Sequence, residues 1–144
     1  QQTQTELPES KVAAEGQPMI PDYILSIPAK IQGMTRLEDG TIVLSESAGR
    51  SNQSHLIFHR NVLKEEHRDT VLIGDVEVPL WYLDSNTLVG KLVTPPMSEG
   101  IVFYQNSIWQ LYESAADKYF GASTDPIDYV YQIKDEVVTQ IAIK

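Results

Sequence analysis

The sequence contains no cysteine among its 144 residues, which excludes disulfide bonds and thiolate metal sites. It also has no apolar run near the roughly 20 residues that a membrane-spanning helix requires. Basic residues are scarce, since 11 Lys and Arg stand against 20 Asp and Glu and leave a net charge of −9. Because such a charge repels nucleic-acid phosphates and anionic membranes, we expect neither as a partner.

The beginning of the chain lacks both an initiating methionine and the pattern of a signal peptide, since it reads QQTQTE. We therefore expect a piece of a longer precursor or an expressed fragment. Residues 1–19 are polar and show no apolar periodicity. Such a segment cannot bury enough surface to offset the entropy of ordering it, so we predict a flexible linker or tail there.

An internal repeat organises the rest of the sequence. The stretch QGMTRLEDGTIVLSESAG aligns without a gap on EGIVFYQNSIWQLYESAA, at a constant interval of 67 residues. Gly33 falls on Gly100, Leu44 falls on Leu111, and the triplet Glu-Ser-Ala occurs in both copies. A fixed interval of this kind indicates a repeated supersecondary unit.

Each copy of the repeat reads as four short strands separated by a Pro-rich turn, a tight hairpin and a polar loop. Four antiparallel strands in tandem units are typical of β-propeller blades. We therefore predict an all-β, β-propeller-like fold with two four-stranded antiparallel blades, at approximately residues 20–87 and 88–144. We interpret the hairpin at Thr70–Leu80 as an insertion, and we expect the last two strands at Tyr129–Ile133 and Val137–Ile143.

Two blades cannot close a ring, because propellers have at least four. Three arrangements stay open: the missing blades lie upstream in a precursor, copies of the chain assemble, or two sheets pack as a sandwich. Two isolated blades would expose apolar faces and open sheet edges, which are liabilities in water. We therefore expect the missing N-terminal half of a precursor, or other copies of the chain, as partners.

Four segments carry a resemblance to a known family: IPAKIQGM, DGTIVLSESAGRSNQSHLIF, PPMSEGI and LYESAADKY. Over roughly residues 20–135 the chain resembles the C-terminal half of a family of exported bacterial β-propeller-like proteins, most of them named only as secreted or hypothetical proteins. The chain has Ala48 where the family pattern commonly has an aromatic residue. The resemblance implies a propeller-like fold and an extracellular or cell-surface location, and it implies no reaction.

The repeated polar residues are the candidate site. In a four-stranded blade, the turn that enters the first strand and the loop that leaves the second lie at the same end of the sheet. Loops on a rigid scaffold commonly build binding sites, so we expect these side chains to meet on one rim. The predicted rim residues are Gln32, Glu46, Ser47, Arg50, Asn52, Ser54, Glu99, Glu113 and Ser114.

Two carboxylates on this rim admit several roles. Glu99 and Glu113 could bind calcium through their oxygens, could divide acid and base roles, or could accept backbone N–H bonds or pair with Arg50. The presence of Glu-Ser-Ala in both copies favours a structural role, since a catalytic site needs only one copy. Arg50 suits either a ligand carboxylate or phosphate, or a clamp on a neighbouring loop.

Two functions therefore remain. The first is a non-catalytic binding or interaction module whose ligand the sequence does not name. The alternative is a calcium-dependent hydrolase of the lactonase or esterase kind, with Glu99 and Glu113 as metal ligands, which rests on analogy between folds. We favour the module because the sequence places no histidine base near the rim. Calcium is the only cofactor that the sequence suggests.

Overall fold

The computed structural model describes residues 16–17, 19–119, 121–123, 126–134 and 136–138. Over this part of the chain the protein is all-β, as predicted, with strands in three open sheets and a single 3₁₀ turn after the fourth strand, at Val62–Lys64. The strands are β1 Ile24–Ser26, β2 Ile31–Arg36, β3 Ile42–Glu46, β4 Ser54–His59, β5 Asp69–Ile73, β6 Val76–Tyr82, β7 Leu88–Thr94, β8 Ser98–Tyr104, β9 Ser107–Tyr112 and β10 Tyr131–Lys134.

A four-stranded antiparallel sheet with the order β2-β3-β4-β7 forms the centre, and we call it the central sheet. Successive side chains of a strand point to opposite faces. Val43 and Phe58 lie on one face of the central sheet, whereas Ile42 and Leu44 lie on the other, and all four are fully buried. A strand that is apolar on both faces requires a packing layer on each side.

The C-terminal sheet covers one of these faces. It has the order β10-β9-β8, with antiparallel pairing throughout. Ile108 of β9 packs into the same core as Val43, Leu56 and Phe58. This core joins the central sheet to the C-terminal sheet.

The hairpin sheet covers the other face. It consists of β1, β6 and β5 in that order. Leu25 of β1 and Trp81 of β6 pack on the core formed by Ile42, Leu44 and Ile57. The central sheet therefore lies between the other two sheets.

The strand count differs from the prediction of two four-stranded sheets. β1 pairs in parallel with β6, with Ile24 opposite Leu80, so the predicted insertion is an integral part of the hairpin sheet. A hairpin edge offers unpaired backbone groups, and β1 satisfies them.

In the C-terminal sheet the described residues form three strands. Residues 136–138 are helical where the final strand was expected to begin, and 139–143 lie outside the described residues.

The two equivalent hairpins differ by one residue. Five residues separate the last pair, Arg36 and Ile42, of the β2–β3 hairpin. The β8–β9 hairpin turns on Gln105 and Asn106, whose φ angles of 48° and 59° suit the tight turns of β-hairpins. Four residues therefore separate its equivalent pair, Phe103 and Ile108.

Because of this one-residue difference, side chains at equivalent positions of β3 and β9 point to opposite faces of their sheets. Met34 lies opposite Leu44, but the equivalent Ile101 lies opposite Gln110 and not opposite Leu111. A register slip of one residue turns every side chain to the other face of a sheet. Leu44 is accordingly buried, whereas Leu111, its counterpart in the gapless alignment, is 52% exposed.

Candidate functional site

A polar cavity of about 330 Å³ gathers five of the nine predicted rim residues at one end of the central and C-terminal sheets. The predicted members are Gln32, Ser47, Arg50, Glu99 and Glu113. Gly49, Met97 and Tyr119 complete the lining. The cavity is the candidate functional site, and we call it the rim cavity.

Two turns with the same backbone geometry position its walls. Lys30 precedes β2 and Met97 precedes β8, and they adopt left-handed φ angles of 66° and 63° at the interval of the sequence repeat. The Lys30 carbonyl accepts a hydrogen bond from the Ser47 N–H at 3.0 Å, and the Met97 carbonyl accepts one from the Glu113 N–H at 3.0 Å. Each turn is thereby tied to the far end of its hairpin.

A close approach of β2 and β8 brings the two walls together. A Cβ atom added at Gly33 would lie 3.1 Å from both the Glu99 carbonyl oxygen and the Ile101 nitrogen. The absence of a side chain at Gly33 therefore permits contact between the two backbones. Phe103 also donates its backbone N–H to the Thr35 hydroxyl at 2.9 Å, which ties the same two strands further along.

The two carboxyl groups of the cavity differ in electrostatics. Burial raises the pKa of Glu99, and the negative charge of the neighbouring Glu113 raises it further. Glu113 lies 2.7 Å from the Lys118 ammonium, and the hydrogen bond from Lys118 lowers the pKa of Glu113. The cavity thus combines one carboxyl group that is biased toward its protonated form with one that is held ionised.

An aromatic ring that two cations contact forms another part of the wall. The Arg50 guanidinium lies 5.2 Å from the centroid of the Tyr119 ring, and the Lys118 ammonium lies 4.5 Å from it. Cations over a ring face are attracted by its quadrupole. Tyr119 therefore holds Arg50 at the cavity, beside the two carboxyl groups.

A second cavity of about 760 Å³ adjoins the first and shares Gln32, Glu99 and Glu113 with it. Its remaining wall includes Leu111 and Tyr129, which are exposed and apolar or aromatic. The two cavities together offer a polar end beside Arg50 and a more apolar end beside Tyr129. This arrangement suits a ligand that carries both polar groups and an apolar body.

A buried polar network supports the cavity from below. Gln110 is fully buried, donates to the Ser45 hydroxyl at 3.2 Å and accepts from the Tyr112 hydroxyl at 2.8 Å. The Ser45 hydroxyl in turn bonds the Ser98 hydroxyl at 3.0 Å. Buried polar groups that are all hydrogen-bonded stiffen the region that contains them. This network joins β3, β8 and β9 directly beneath the rim.

The structure places the other predicted rim residues elsewhere. Glu46 lies directly opposite His55 across β3 and β4, with 3.3 Å between its carboxylate and His55 Nδ1. Asn52 donates to the Ala48 carbonyl at 3.0 Å and holds its own loop. Two buried serines accept backbone hydrogen bonds: Ser54 from Ser98 at 3.2 Å, and Ser114 from Ile127 at 2.9 Å. These four residues shape loops and sheets around the cavity and do not line it.

Sequence reasoning missed Met97, Tyr119 and Lys118. Met97 carries one signal, because Lys30 stands 67 residues before it and both precede a repeated strand. Tyr119 and Lys118 follow the second Glu-Ser-Ala triplet, in a segment that has no counterpart in the first copy. Their role depends on the fold of that segment against Arg50, which no spacing rule predicts.

The residues of the rim cavity fit calcium poorly. Calcium takes six to eight oxygen ligands, and the only charged oxygens among the described lining residues come from two carboxyl groups, one of which is paired with Lys118. No group of three or more His, Asp and Glu side chains that could hold a metal occurs in the described part of the chain.

Within the same described residues, no helix is long and apolar enough to cross a membrane. No family model, curated protein or solved structure matches the chain.

Proposed function

We propose that this chain is a non-catalytic binding module that recognises a small polar ligand at the rim cavity. One observation carries the proposal: a single cavity gathers polar side chains from four separate segments, the start of β2, the loop after β3, the start of β8 and the end of β9. Binding sites are commonly built from such convergent loops on a rigid sheet scaffold.

The chemistry of the cavity favours binding over catalysis. Glu99 and Glu113 could serve as an acid and a base, but Glu113 is engaged by Lys118 at 2.7 Å. No histidine lines the rim cavity among the described residues. An arginine, an amide, a hydroxyl and a carboxyl group are the side chains that recognise polar organic ligands through hydrogen bonds.

We further propose that the three sheets belong to a larger propeller-like assembly of an exported bacterial protein. Three observations support this proposal: the face-to-face stacking, the contact of β2 with β8, and the 67-residue interval that relates β1 to β7. In this interpretation β1 is the outer strand of a preceding blade. The missing blades come from an N-terminal half of the protein or from other copies of the chain.

A ligand screen with matched variants tests the proposed function. Monosaccharides, amino acids and short peptides are presented to the wild type, and saturation-transfer NMR reports binding. The Arg50→Ala variant tests the cavity, and Arg36→Ala, at an exposed arginine at the end of β2, is the control. We expect at least one class to bind the wild type and the control, and to lose binding in Arg50→Ala.

Two results would contradict the proposal. Equal binding to the wild type and to Arg50→Ala would place the ligand outside the rim cavity. Calcium-dependent hydrolysis of a lactone or an aryl ester that is lost in Glu99→Gln would favour the hydrolase alternative.

A further inference from the structure

A third cavity, which shares no lining residue with the rim cavity, contains a buried histidine with an unsatisfied ring nitrogen. The cavity has a volume of about 140 Å³ and lies between the end of β4 and the start of β7. Its lining consists of Pro28, Ile57, His59, Asp84, Ser85, Leu88 and Lys91. Water occupies about 30 Å³ per molecule in the liquid, so the volume corresponds to only a few small-molecule heavy atoms.

His59 is only 2% exposed, and its two ring nitrogens differ in their partners. Nδ1 lies 2.8 Å from the Thr87 hydroxyl. Nε2 is buried and has no hydrogen-bond partner in the described structure. Burial of a polar atom without a partner costs free energy, so this nitrogen requires an explanation.

The hydrogen bonds of Thr87 indicate which nitrogen carries the proton. The Thr87 hydroxyl donates to the Asp84 carbonyl at 3.0 Å and accepts from the Asp84 N–H at 3.0 Å. A hydroxyl has a single hydrogen, so toward His59 it acts as an acceptor and Nδ1 is the donor. Nε2 then carries a lone pair with no donor facing it.

The histidine cannot satisfy this nitrogen by taking up a proton at neutral pH. Burial lowers the pKa of His59, and the opposing effect of the nearby Asp84 carboxylate is smaller. The ring is therefore neutral, and Nε2 needs an external N–H or O–H donor. The Asp84 carboxylate lies in the same cavity wall and favours a donor that carries positive charge.

The rest of the wall defines the body of the ligand. Pro28, Ile57 and Leu88 supply apolar surface. Lys91 is exposed, and a lysine in such a position lines a cavity with its apolar stem while its ammonium group stays in water. A donor with positive charge and a short apolar chain matches these walls.

We infer that this cavity is a second binding site, which takes a short primary alkylammonium whose N–H groups donate to His59 Nε2 and to the Asp84 carboxylate. The site is independent of the rim cavity, since the two share no lining residue. Because Nε2 is closed off in the free protein, the ligand reaches it only after a neighbouring side chain moves, and exposed side chains such as those of Ser85 and Lys91 change rotamer on the nanosecond timescale.

Side-chain ¹⁵N NMR of the wild-type protein tests the inference without a mutation. In the free protein we expect His59 to be neutral and protonated on Nδ1. Titration with ethylammonium chloride should shift the Nε2 resonance and leave the Nδ1 resonance in place. Tetramethylammonium chloride has the same charge but no N–H donor, and ethanol has a donor but no charge, so neither should shift Nε2 at equal concentration and ionic strength.

Two variants separate binding at this cavity from binding elsewhere on the protein. The side chain of Asp84 accepts a hydrogen bond from the Asn86 N–H at 2.8 Å, and Asp84→Asn keeps an oxygen for this bond. The variant should weaken ethylammonium binding at least about tenfold, because the charged partner of the ammonium group is lost. Arg50→Ala, in the rim cavity, should leave it unchanged. Three results would each overturn the inference. They are a proton on Nε2 in the free protein, a shift of equal size with tetramethylammonium, and no shift with ethylammonium. The last result is expected if only water occupies the cavity.

Discussion

Gly33 and Glu99 meet backbone to backbone, at a distance that admits a side chain on the glycine only if the neighbouring backbone shifts. A Cβ atom at Gly33 would lie 3.1 Å from the Glu99 carbonyl oxygen, and the neighbouring contacts are also backbone atoms. Gly100, the repeat counterpart of Gly33, differs, since its Cβ atom would meet only a Leu111 methyl group at 3.9 Å. The contact between β2 and β8, and with it the rim cavity, therefore depends on the first glycine and not on the second.

This asymmetry predicts opposite outcomes for two equivalent substitutions. Gly33→Ala should lower the free energy of unfolding by about 1–3 kcal/mol, because rigid backbone must shift to admit the methyl group. Gly100→Ala should change it by less than about 0.5 kcal/mol. Urea unfolding followed by tryptophan fluorescence measures both values. Equal destabilisation by the two substitutions would contradict the close approach of β2 and β8.

The buried network beneath the rim predicts a large effect at Gln110. Gln110→Ala should lower the free energy of unfolding by about 2–3 kcal/mol, because it leaves a small cavity and removes the partners of Ser45 and Tyr112. Gln132→Ala is the matched control, because Gln132 is exposed and its side-chain amide donates to one partner among the described residues, the Ser107 hydroxyl at 3.1 Å. It should cost less than about 0.5 kcal/mol. Similar losses in both variants would show that the network contributes nothing beyond an exposed hydrogen bond.

The raised pKa of Glu99 predicts a dependence of stability on pH. Its pKa in the folded protein lies above the ordinary value of 4.5, so the folded state binds more protons than the unfolded state between the two values. Ionisation of Glu99 thus opposes folding, an effect that is complete above the raised pKa and absent well below pH 4.5. Glu99→Gln should raise the neutral-pH stability by less than about 1 kcal/mol, because the group is partly exposed.

Unfolding at several pH values separates this effect from a general change in net charge. The advantage of Glu99→Gln should vanish as the pH falls below the ordinary carboxyl value, whereas Glu38→Gln, at an exposed position in the β2–β3 loop, should show no such advantage at neutral pH. A loss of neutral-pH stability in Glu99→Gln would show that the ionised carboxylate stabilises the fold.

The outer face of the C-terminal sheet predicts association. Val102, Tyr104 and Leu111 are more than half exposed on the face that points away from the central sheet, at 53%, 60% and 52%. Contiguous apolar surface of this kind marks contact sites between proteins. We expect the chain alone to sediment above its monomer mass of 16.2 kDa, and Leu111→Lys to reduce this association. Leu72→Lys, on the hairpin sheet, is the control, and a compact wild-type monomer would contradict the expected partners.

The sequence predicted much of the architecture, because its signals are local. The strands around the repeat, the turn at Gly74 and Asp75, and the meeting of Gln32 with Glu99 all follow from alternation, turn residues and the repeat interval. The parallel pairing of β1 with β6 could not be predicted, since it depends on which free edge a distant strand finds in three dimensions.

The direction in which the β9 side chains point could not be predicted from a gapless alignment. Leu44 and Leu111 are equivalent in sequence, yet only Leu44 is buried, because the tighter turn at Gln105 and Asn106 shifts the register by one residue. For the same reason a polar residue, Gln110, occupies the buried side of β9. The site residues Tyr119 and Lys118 belong to the LYESAADKY motif, but the repeat does not share them and no alternating pattern marks them as site residues.

We propose that the rim cavity binds its ligand without calcium and without catalysis. Thermal unfolding of the wild type and of Glu99→Gln, each with and without millimolar calcium, tests it most directly. A ligand that binds only the folded state must raise the unfolding midpoint. We predict the same midpoint with and without calcium for each protein. A calcium-dependent rise in the wild type that disappears in Glu99→Gln would contradict the claim and establish the two carboxylates as a metal site.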